Sequence, residues 1–600
     1  MYDETRGSDR QHNVRPICAG RRRLIPMARW IRTSADPALV GSLAKELAIP
    51  ELISRLLILR GITGAQQAAR FLRPSLSDLH DPYRMLGMRA AVDRLRRACA
   101  TGEKILVYGD YDADGTTAVV LLRKAIELAG GTADFYIPHR LRDGYGMRDD
   151  VMEHAARQGI RLIVSVDTGI REAVVVEKAN GLGIDTIITD HHLPEASPSR
   201  APAALAVLNP NQPGCGYPDK NLSGVGVAFK LAQALLGSLD WPPARLEKVL
   251  RSMLRIAAIG TVADVVPLVG ENRIIVKFGL HALGRPVNPG LKALLSASGI
   301  AEGRPPTAAN IAYWLAPRLN AAGRMDTASE VIELFSAADA ERGAKIAERL
   351  CRLNAERQAA EARIVEEILS EISAAPERAF PEQPPAAIVA AGEGWHRGVL
   401  GIVASRLVER FYRPAVVIAI SEKEGMAHGS GRSIPPFHLL EALESMADLF
   451  ARFGGHRSAA GFSLPAARLP EFRSRFLSYA AARLNPEDCI PSIAIDADLN
   501  FQEITCELLG ELVQLEPHGA GNPEPIFAAA GLELQHPPRV LREKHLRLTL
   551  RQANRSFAAM GWRMAGIAAS LIEKTVLNAA FTLERDDGGC RLILKDLAWP

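Results

Sequence analysis

VYGDYDADGTTA, residues 107–118, joins the end of an apolar, β-rich run (Lys104–Tyr108) to a stretch of helical character, TTAVVLLRKAIELAG. Four more short apolar runs follow, Ala133–Ile137, Arg161–Val166, Ile184–Thr189 and Ala204–Leu208, with helical stretches between them. Strands alternating with helices predict an α/β fold, a parallel sheet buried on both faces. In such a sheet ligands gather outside the carboxyl ends of the strands. The residues that end these runs are therefore the ones to follow.

Asp110, Asp112 and Asp114 alternate just past the first run, and Gly115 opens the helix. Alternation in extended chain sends side chains to one side. Three carboxylates so crowded repel one another unless a cation neutralises them. A calcium loop of the EF-hand kind is excluded, because Leu121 stands where its bidentate Glu belongs. A solvated acidic turn stays open for this segment alone. The run Arg161–Val166 ends in Asp167, Thr168 and Gly169, however, and Ile184–Thr189 ends in Asp190, His191 and His192. Asp264 is closely flanked by apolar residues in IGTVADVVPL, where a carboxylate without a partner is costly to bury. Carboxylate and imidazole donors without thiolate favour Mn²⁺ or Mg²⁺. There are enough carboxylates for two divalent ions, which suits hydrolysis of a phosphate ester or anhydride.

Outside this stretch the chain is less specific. Residues 41–103 carry apolar positions at helical spacing, as in LAKELAIPELISRLLILRGI. Residues 327–375 read as a long amphipathic helix or helical pair, and the proline-rich 375–387 as a linker. A second, glycine-rich α/β unit follows to residue 475, and strand-like runs such as HLRLTL and RLILKDL predict a small β-barrel over 488–600. Residues 1–40 are expected to be a disordered extension, with Met27 as an alternative start. A net charge of +4 permits nucleic-acid binding without predicting it. No apolar run approaches the roughly 18 residues that cross a bilayer. Seven cysteines scattered singly suit a reduced, cytoplasmic protein rather than a zinc or disulfide framework.

The order Asp-x-Asp-x-Asp-Gly, Asp167, Asp-His-His, Asp264 resembles the DHH phosphoesterase superfamily. The resemblance implies that Asp112, Asp114, Asp167, His191 and Asp264 bind two divalent ions, Mn²⁺ or Mg²⁺. It makes Asp110 an auxiliary carboxylate, with an N-terminal turn residue as its plain alternative, and turns His192 toward the scissile phosphate. Within the superfamily, GDYDADG with Tyr108 four residues before Asp112, IPHRLRDGYGM (137–147) and APRLNAAGRM (316–325) resemble the RecJ-like exonucleases. Arg318, Asn320 and Arg324 then hold backbone phosphates.

GWHRGVLGIVASRL, SGRSIPPFHL and FGGHRSAAGF resemble the DHH-associated (DHHA1-like) domain; Trp395 suits a core position, and the resemblance brings His396, Arg406, Ser430, Arg432 and His456 toward the substrate. LEPHGAGNPEPIF (515–527) resembles the segment that opens the family's OB-like barrel, with His518 where Phe is usual. Arg539, Arg542, Lys544, His545 and Arg547 form a basic run suited to single strands.

The architecture implied is a DHH catalytic domain (104–326), a connecting helix (327–375), a DHHA1-like domain (384–475) and an OB-like nucleic-acid-binding domain (488–600), behind the helical 41–103. The function implied is metal-dependent 5′-to-3′ digestion of single-stranded DNA to mononucleotides in DNA repair and recombination. A single-strand-binding protein and a helicase are partners the resemblance suggests. A relative acting on short oligonucleotides or cyclic dinucleotides, and a non-catalytic single-strand-binding relative, are the alternatives. The first has no need of so long a track, and the second loses metal ligands that are all present here.

Overall fold

The computed structural model describes residues 28–194, 202–374, 385–572, 575–586 and 589–600. Residues 1–27, Met27 among them, and most of the proline-rich 375–387 lie outside the described residues.

The chain opens with β1 (Arg29–Arg32), followed by α1 (Pro37–Leu47), α2 (Glu51–Leu59), α3 (Ala65–Leu72) and α4 (Met88–Thr101). The expected extension is thus ordered from residue 29. Asp36 caps α1 through the Ala38 N–H, and Trp30 donates its indole N–H to Asp596 at 3.0 Å. Apolar contacts made late in the chain hold this start in place, and local sequence does not report them.

Next comes the parallel sheet. Its strands are β2 (Lys104–Gly109), β3 (Thr132–Tyr136), β4 (Leu162–Val166), β5 (Asp185–Thr189) and β6 (Ala206–Leu208), in the spatial order β3-β2-β4-β5-β6. The helices of this region are α5 (Ala113–Leu128), α6 (Asp149–Arg157), α7 (Ala173–Gly181), α8 (Gly224–Gly237), α9 (Pro243–Ala263) and α10 (Gly270–Leu283). The central strands are buried on both faces, as their unbroken apolar runs require. The core on one face comes from α4, α5 and α8, and that on the other from α6 and α7.

The described part of 327–375 holds two helices, Ser329–Phe335 and the 35-residue Ala340–Ala374, preceded by Ala316–Met325. The second α/β unit is a mixed five-stranded sheet of β7 (Ile388–Glu393), β8 (Ala415–Ser421), β9 (Met426–Arg432), β10 (Arg452–His456) and β11 (Ala459–Pro465), in the order β10-β11-β9-β8-β7. Its helix Leu469–Ala481 runs past residue 475. The last strands are β12 (Ser492–Ile495), which pairs with β1, β13 (Ala497–Asp498), β14 (Phe527–Leu534), β15 (Arg539–Leu541), β16 (His545–Gln552), β17 (Arg555–Gly561), β18 (Val576–Asp586) and β19 (Gly589–Ala598). Strands β14-β18-β19-β17-β16 close on themselves through the β14–β16 pairing, forming a five-stranded barrel.

Two features couple the barrel to the rest. Leu43, Ile53, Leu56 and Leu72 of α1–α3 share one apolar core with Phe527, Leu532 and Leu577 of the barrel. Arg273 of α10, only 2% exposed, donates to the carbonyls of Phe71, Gln514, Leu515, Glu516 and Pro517 and lies 3.8 Å from the centre of the Phe71 ring. His518, next in sequence, is half-buried, and its buried Nδ1 has no hydrogen-bond partner.

Candidate metal centre

The acidic residues converge because each ends a neighbouring strand or caps a helix aimed at the same point. Asp112 is the N-cap of α5, its Oδ1 accepting the N–H groups of Asp114 and Gly115 at 2.9 and 3.0 Å. Asp110 precedes this turn, and a Cβ on Gly115 would come within 2.7 Å of the Asp110 carbonyl oxygen, so glycine is required there. Asp114 reaches across to the N-terminus of α8, where Oδ2 accepts from Gly224 N–H at 2.7 Å and Oδ1 from Val225 N–H at 2.9 Å. The free N–H groups and dipole of α8 favour negative charge at that place. Asp167 ends β4 in the left-handed region (φ 60°). Its carboxylate approaches so closely that a Cβ on Gly224 would lie 2.4 Å from its Oδ1. Asp264 closes the C-terminus of α9.

His191 links two of these carboxylates, its Nε2 lying 3.2 Å from Asp167 and 3.6 Å from Asp264. Asp110, Asp112, Asp114, Asp167, His191, His192 and Asp264 thus fall into three overlapping groups. Within each group the donor atoms lie within 4.8 Å of one another. All of the sequence-predicted metal and catalytic residues are brought together.

Burial and mutual repulsion act strongly on these groups. Burial, then Asp112, pushes the Asp110 carboxyl well up and that of Asp114 up to about 7. Burial, then Asp114, raises Asp167 well above the usual range and Asp264 to about 9. Burial and the neighbouring His192 push His191 down to about 4, which leaves its ring neutral, the form that binds a cation. Asp110 Oδ1, Asp167 Oδ1 and His191 Nε2 are buried without hydrogen-bond partners. Hard carboxylate donors, a neutral imidazole and orphaned buried lone pairs fit divalent ions of the Mn²⁺ or Mg²⁺ kind.

Without such ions the raised carboxyls bind protons that an unfolded chain, with carboxyls near pKa 4, has already released. The stability they contribute is full below about pH 4 and declines as the pH rises through the folded values of about 7 and 9. Tm in EDTA should therefore fall between about pH 5 and pH 9, and the gain on adding Mn²⁺ should widen over the same range. Scanning calorimetry in both conditions checks this. A metal-induced gain that stays level with pH contradicts it.

Asp190 opens the Asp-His-His motif yet does not join the cluster. Its Oδ2 accepts from Ile170 N–H at 2.9 Å, and its Oδ1 accepts from the His191 and His192 N–H groups and pairs with His192 Nδ1 at 2.7 Å. Burial alone would raise Asp190, but the His192 ring holds it below the usual range. In return, and also against burial, Asp190 raises His192. Adjacent histidines therefore differ in charge: His191 is neutral, and His192 is biased toward the cation. The half-exposed Tyr145 sits over His192, Oη to Nδ1 at 3.3 Å.

Cationic groups face the cluster from the other side. Asn320 accepts the Ala113 N–H at 2.8 Å and so fixes the acidic turn, while Arg324 donates to the Gly398 carbonyl at 3.0 Å. Burial, then Arg140, Arg432 and Arg357, pushes Arg324 down to about 9. Arg432 contacts Ser430 at 3.3 Å, and a Cβ on Gly401 would press on both. His396 accepts the Gly398 N–H at 3.1 Å.

Three predicted contacts are not brought into this group. Arg318 precedes Asn320 by two residues, which turns it to the opposite face of its helix, where it bonds the Trp314 carbonyl and the Cys351 sulfur. Arg406 is tied to Glu361 and Glu409 at 2.7 and 3.0 Å. His456 is exposed beside the β10–β11 turn and accepts the Ser458 N–H. Trp395 is core, its indole donating to Glu367. Sequence reasoning placed Asp190 at the strand end without giving it a role, and it singled out none of Arg140, Tyr145 and Arg357. Arg140 and Tyr145 stand five apart in RLRDGYGM, a cation and an aromatic among glycines, and that was a usable signal. Arg357 lies in a helix whose charges look like a solvated face.

Family models match three segments: the DHH family N-terminal domain over residues 104–261, the DHHA1 domain over 384–482 and the RecJ OB domain over 495–589. The single-stranded-DNA-specific exonuclease RecJ of Bacillus subtilis is 38% identical over 577 residues, covering 95% of this chain and 71% of that protein. Its namesake from Escherichia coli is 37% identical over 512 residues, covering 83% and 86%. The crystal structure of RecJ in complex with Mn²⁺ from Thermus thermophilus superposes with a TM-score of 0.79 at 31% identity, covering 95% of this chain and 80% of that one. The Mg²⁺ complex from the same organism gives 0.73 at 30% identity, covering 95% and 78%.

Proposed function

Because the chain belongs to the RecJ family of single-stranded-DNA-specific exonucleases, within the DHH superfamily, we propose that its acidic centre cuts the phosphodiester bond next to a 5′ end held by the Arg324 cluster, releasing mononucleotides 5′ to 3′. One juxtaposition carries this. On a single helix, Asn320 is bonded to the acidic turn, and Arg324, one turn on, lies near further cations, Arg140 and Arg432. The two are about 6 Å apart along the axis. A terminal phosphate at Arg324 therefore leaves its neighbour at the carboxylates, and the cut removes one nucleotide.

Asp112, Asp114, Asp167, His191 and Asp264 are the residues that would hold Mn²⁺ or Mg²⁺, with Asp110 beside them. Bound there, such ions neutralise phosphoryl oxygens and lower the pKa of a water. The chain's own groups do the rest. The α8 N-terminus keeps Asp114 oriented, and His191 stays neutral. His192, steadied by Asp190, offers positive charge and a proton to a phosphate oxygen. Arg140 and Arg432 join Arg324 on the terminal phosphate.

Further along, Arg539 stands directly opposite Arg547 in the β15–β16 hairpin. Such a like-charge pair is unfavourable until a polyanion neutralises it. Beside it, the exposed Trp562 meets His545 at 4.8 Å between ring centres. This face suits the single strand beyond the site. A single-strand-binding protein and a helicase are proposed partners on family grounds alone. No described helix is long and apolar enough to cross a membrane. The scattered cysteines support a cytoplasmic location.

The test uses single strands labelled at either end, blunt duplex and single-stranded RNA, each with Mn²⁺ or Mg²⁺. Prompt release of the 5′ label as mononucleotide, with duplex untouched, is the expected result; release of the 3′ label first would overturn the polarity. Arg324→Ala should lower kcat/KM about a hundred-fold on a 5′-phosphorylated strand. The loss should be clearly smaller on a 5′-hydroxyl strand, and equal losses on both would remove Arg324 from the terminal phosphate.

A further inference from the structure

The helix that bears Asn320 and Arg324 begins irregularly. Pro317 has no N–H for the Tyr313 carbonyl, and the Ala316 N–H bonds the Ile311 carbonyl five residues back, so Ile311–Leu315 forms one turn of π-helix. Its inner side, Ile311 and Leu315, is fully buried in the core with Ile259 and Val262 of α9, next to Asp264. Its outer side presents Tyr313, which is 77% exposed. Tyr313 precedes Asn320 by seven residues and Arg324 by eleven; the wider π-turn shifts its phase by part of a turn, which still leaves the three side chains on one side of the helix. That face is covered by the acidic turn and the DHHA1-like unit at Asn320 and Arg324, and it emerges into solvent at Tyr313.

We propose that Tyr313 is a stacking platform for a base of the substrate strand on the 3′ side of the scissile phosphate; this rests on the exonuclease reading above. Order along the axis supports it. Arg324 meets the terminal phosphate and Asn320 marks the acidic centre. Tyr313 follows about 10 Å beyond Asn320 on the same face, where the next nucleotides of the strand must pass. A large aromatic surface left in water at that place has a partner of matching chemistry, because every base offers a π-face. The hydroxyl plays no part. Tyr313 is therefore a specificity residue, one that favours strands long enough to reach it.

The experiment compares wild type, Tyr313→Ala and Tyr313→Phe on a long 5′-phosphorylated single strand, alongside 2-aminopurine fluorescence of strands carrying the probe at successive positions from the 5′ end, bound in EDTA. Tyr313→Ala should raise KM about ten-fold (about 1.4 kcal/mol) with kcat within about two-fold, and Tyr313→Phe should match wild type. Quenching at one probe position should be lost in the alanine variant and kept in the phenylalanine variant. An alanine variant with wild-type KM and an unchanged quenching pattern overturns the proposal, and so does a phenylalanine variant as impaired as alanine. A wild-type protein inert on all single strands sinks the exonuclease reading instead, an outcome distinct from either.

Discussion

Asp114→Asn should abolish turnover, lowering kcat by at least about a thousand-fold, while the protein stays folded and binds single-stranded DNA. The loss is large because a cation-borne stabilisation of several kcal/mol acts on the chemical step, and about 1.4 kcal/mol corresponds to a factor of ten. Two carboxylate oxygens now meet two N–H groups of α8, and the amide of Asn replaces one of those oxygens with a donor. It also removes the negative charge opposite the α8 N-terminus, a loss of roughly 0.3–1 kcal/mol. Against that, it relieves repulsion in a cluster whose carboxyls are already pushed up by crowding. In EDTA at about pH 9 the variant should therefore melt no lower than wild type, and the Tm gain on adding Mn²⁺ should shrink. Calorimetry paired with a single-turnover assay separates this from simple unfolding. A variant that melts far below wild type in EDTA, or retains a near-normal rate, contradicts the assignment of Asp114.

The second large effect concerns stability. Arg273→Ala strips five backbone carbonyls of their donor in a buried place. Leaving such groups unpaired should cost about 3–5 kcal/mol. Arg273→Lys should recover only part, since an ammonium offers three donors from one point and has no planar face for the Phe71 ring. The carbonyls belong to α3 and to the segment entering the barrel, so the damage should be local to that joint. Denaturant unfolding should split into two transitions. Long strands should bind more weakly than they do to wild type, with cleavage near the 5′ end less affected. A single cooperative transition at the wild-type midpoint would show that Arg273 is dispensable.

Much of the catalytic centre was legible because it depends on short-range order. A strand that ends in alternating aspartates and passes into a helix fixes where Asp110, Asp112 and Asp114 can lie, and parallel strands bring Asp167 and His191 alongside them. The cationic side was less legible, because it is assembled from separate elements. Arg140, Arg357 and Arg432 come from a loop, the long helix and the second sheet; Arg432 was legible through its glycine-rich motif, whereas nothing in the local sequence separates Arg357 from the solvated charges of its helix. Arg318 and Arg324 sit in one motif, yet the helical turn sends them about a third of a turn apart, to different neighbours. Asp190 shows the limit from the other direction, since the residue that opens the motif serves as a scaffold for its neighbours. The order found at residues 29–36 depends on β12 and Asp596, far along the chain.

That last dependence bears on how the protein is made. Helices α1–α3 are synthesised early, but the apolar surface they bury belongs to barrel strands that emerge hundreds of residues later. At about 5–20 residues per second, the side chains of Leu43, Ile53 and Leu56 wait tens of seconds for Leu532 and Leu577 to leave the ribosome. The catalytic sheet, whose strands lie close together in sequence, can form during that interval. The nascent chain thus carries a nearly finished nuclease domain with an unsatisfied greasy leader, a state that invites chaperone binding and makes yield sensitive to the rate of translation.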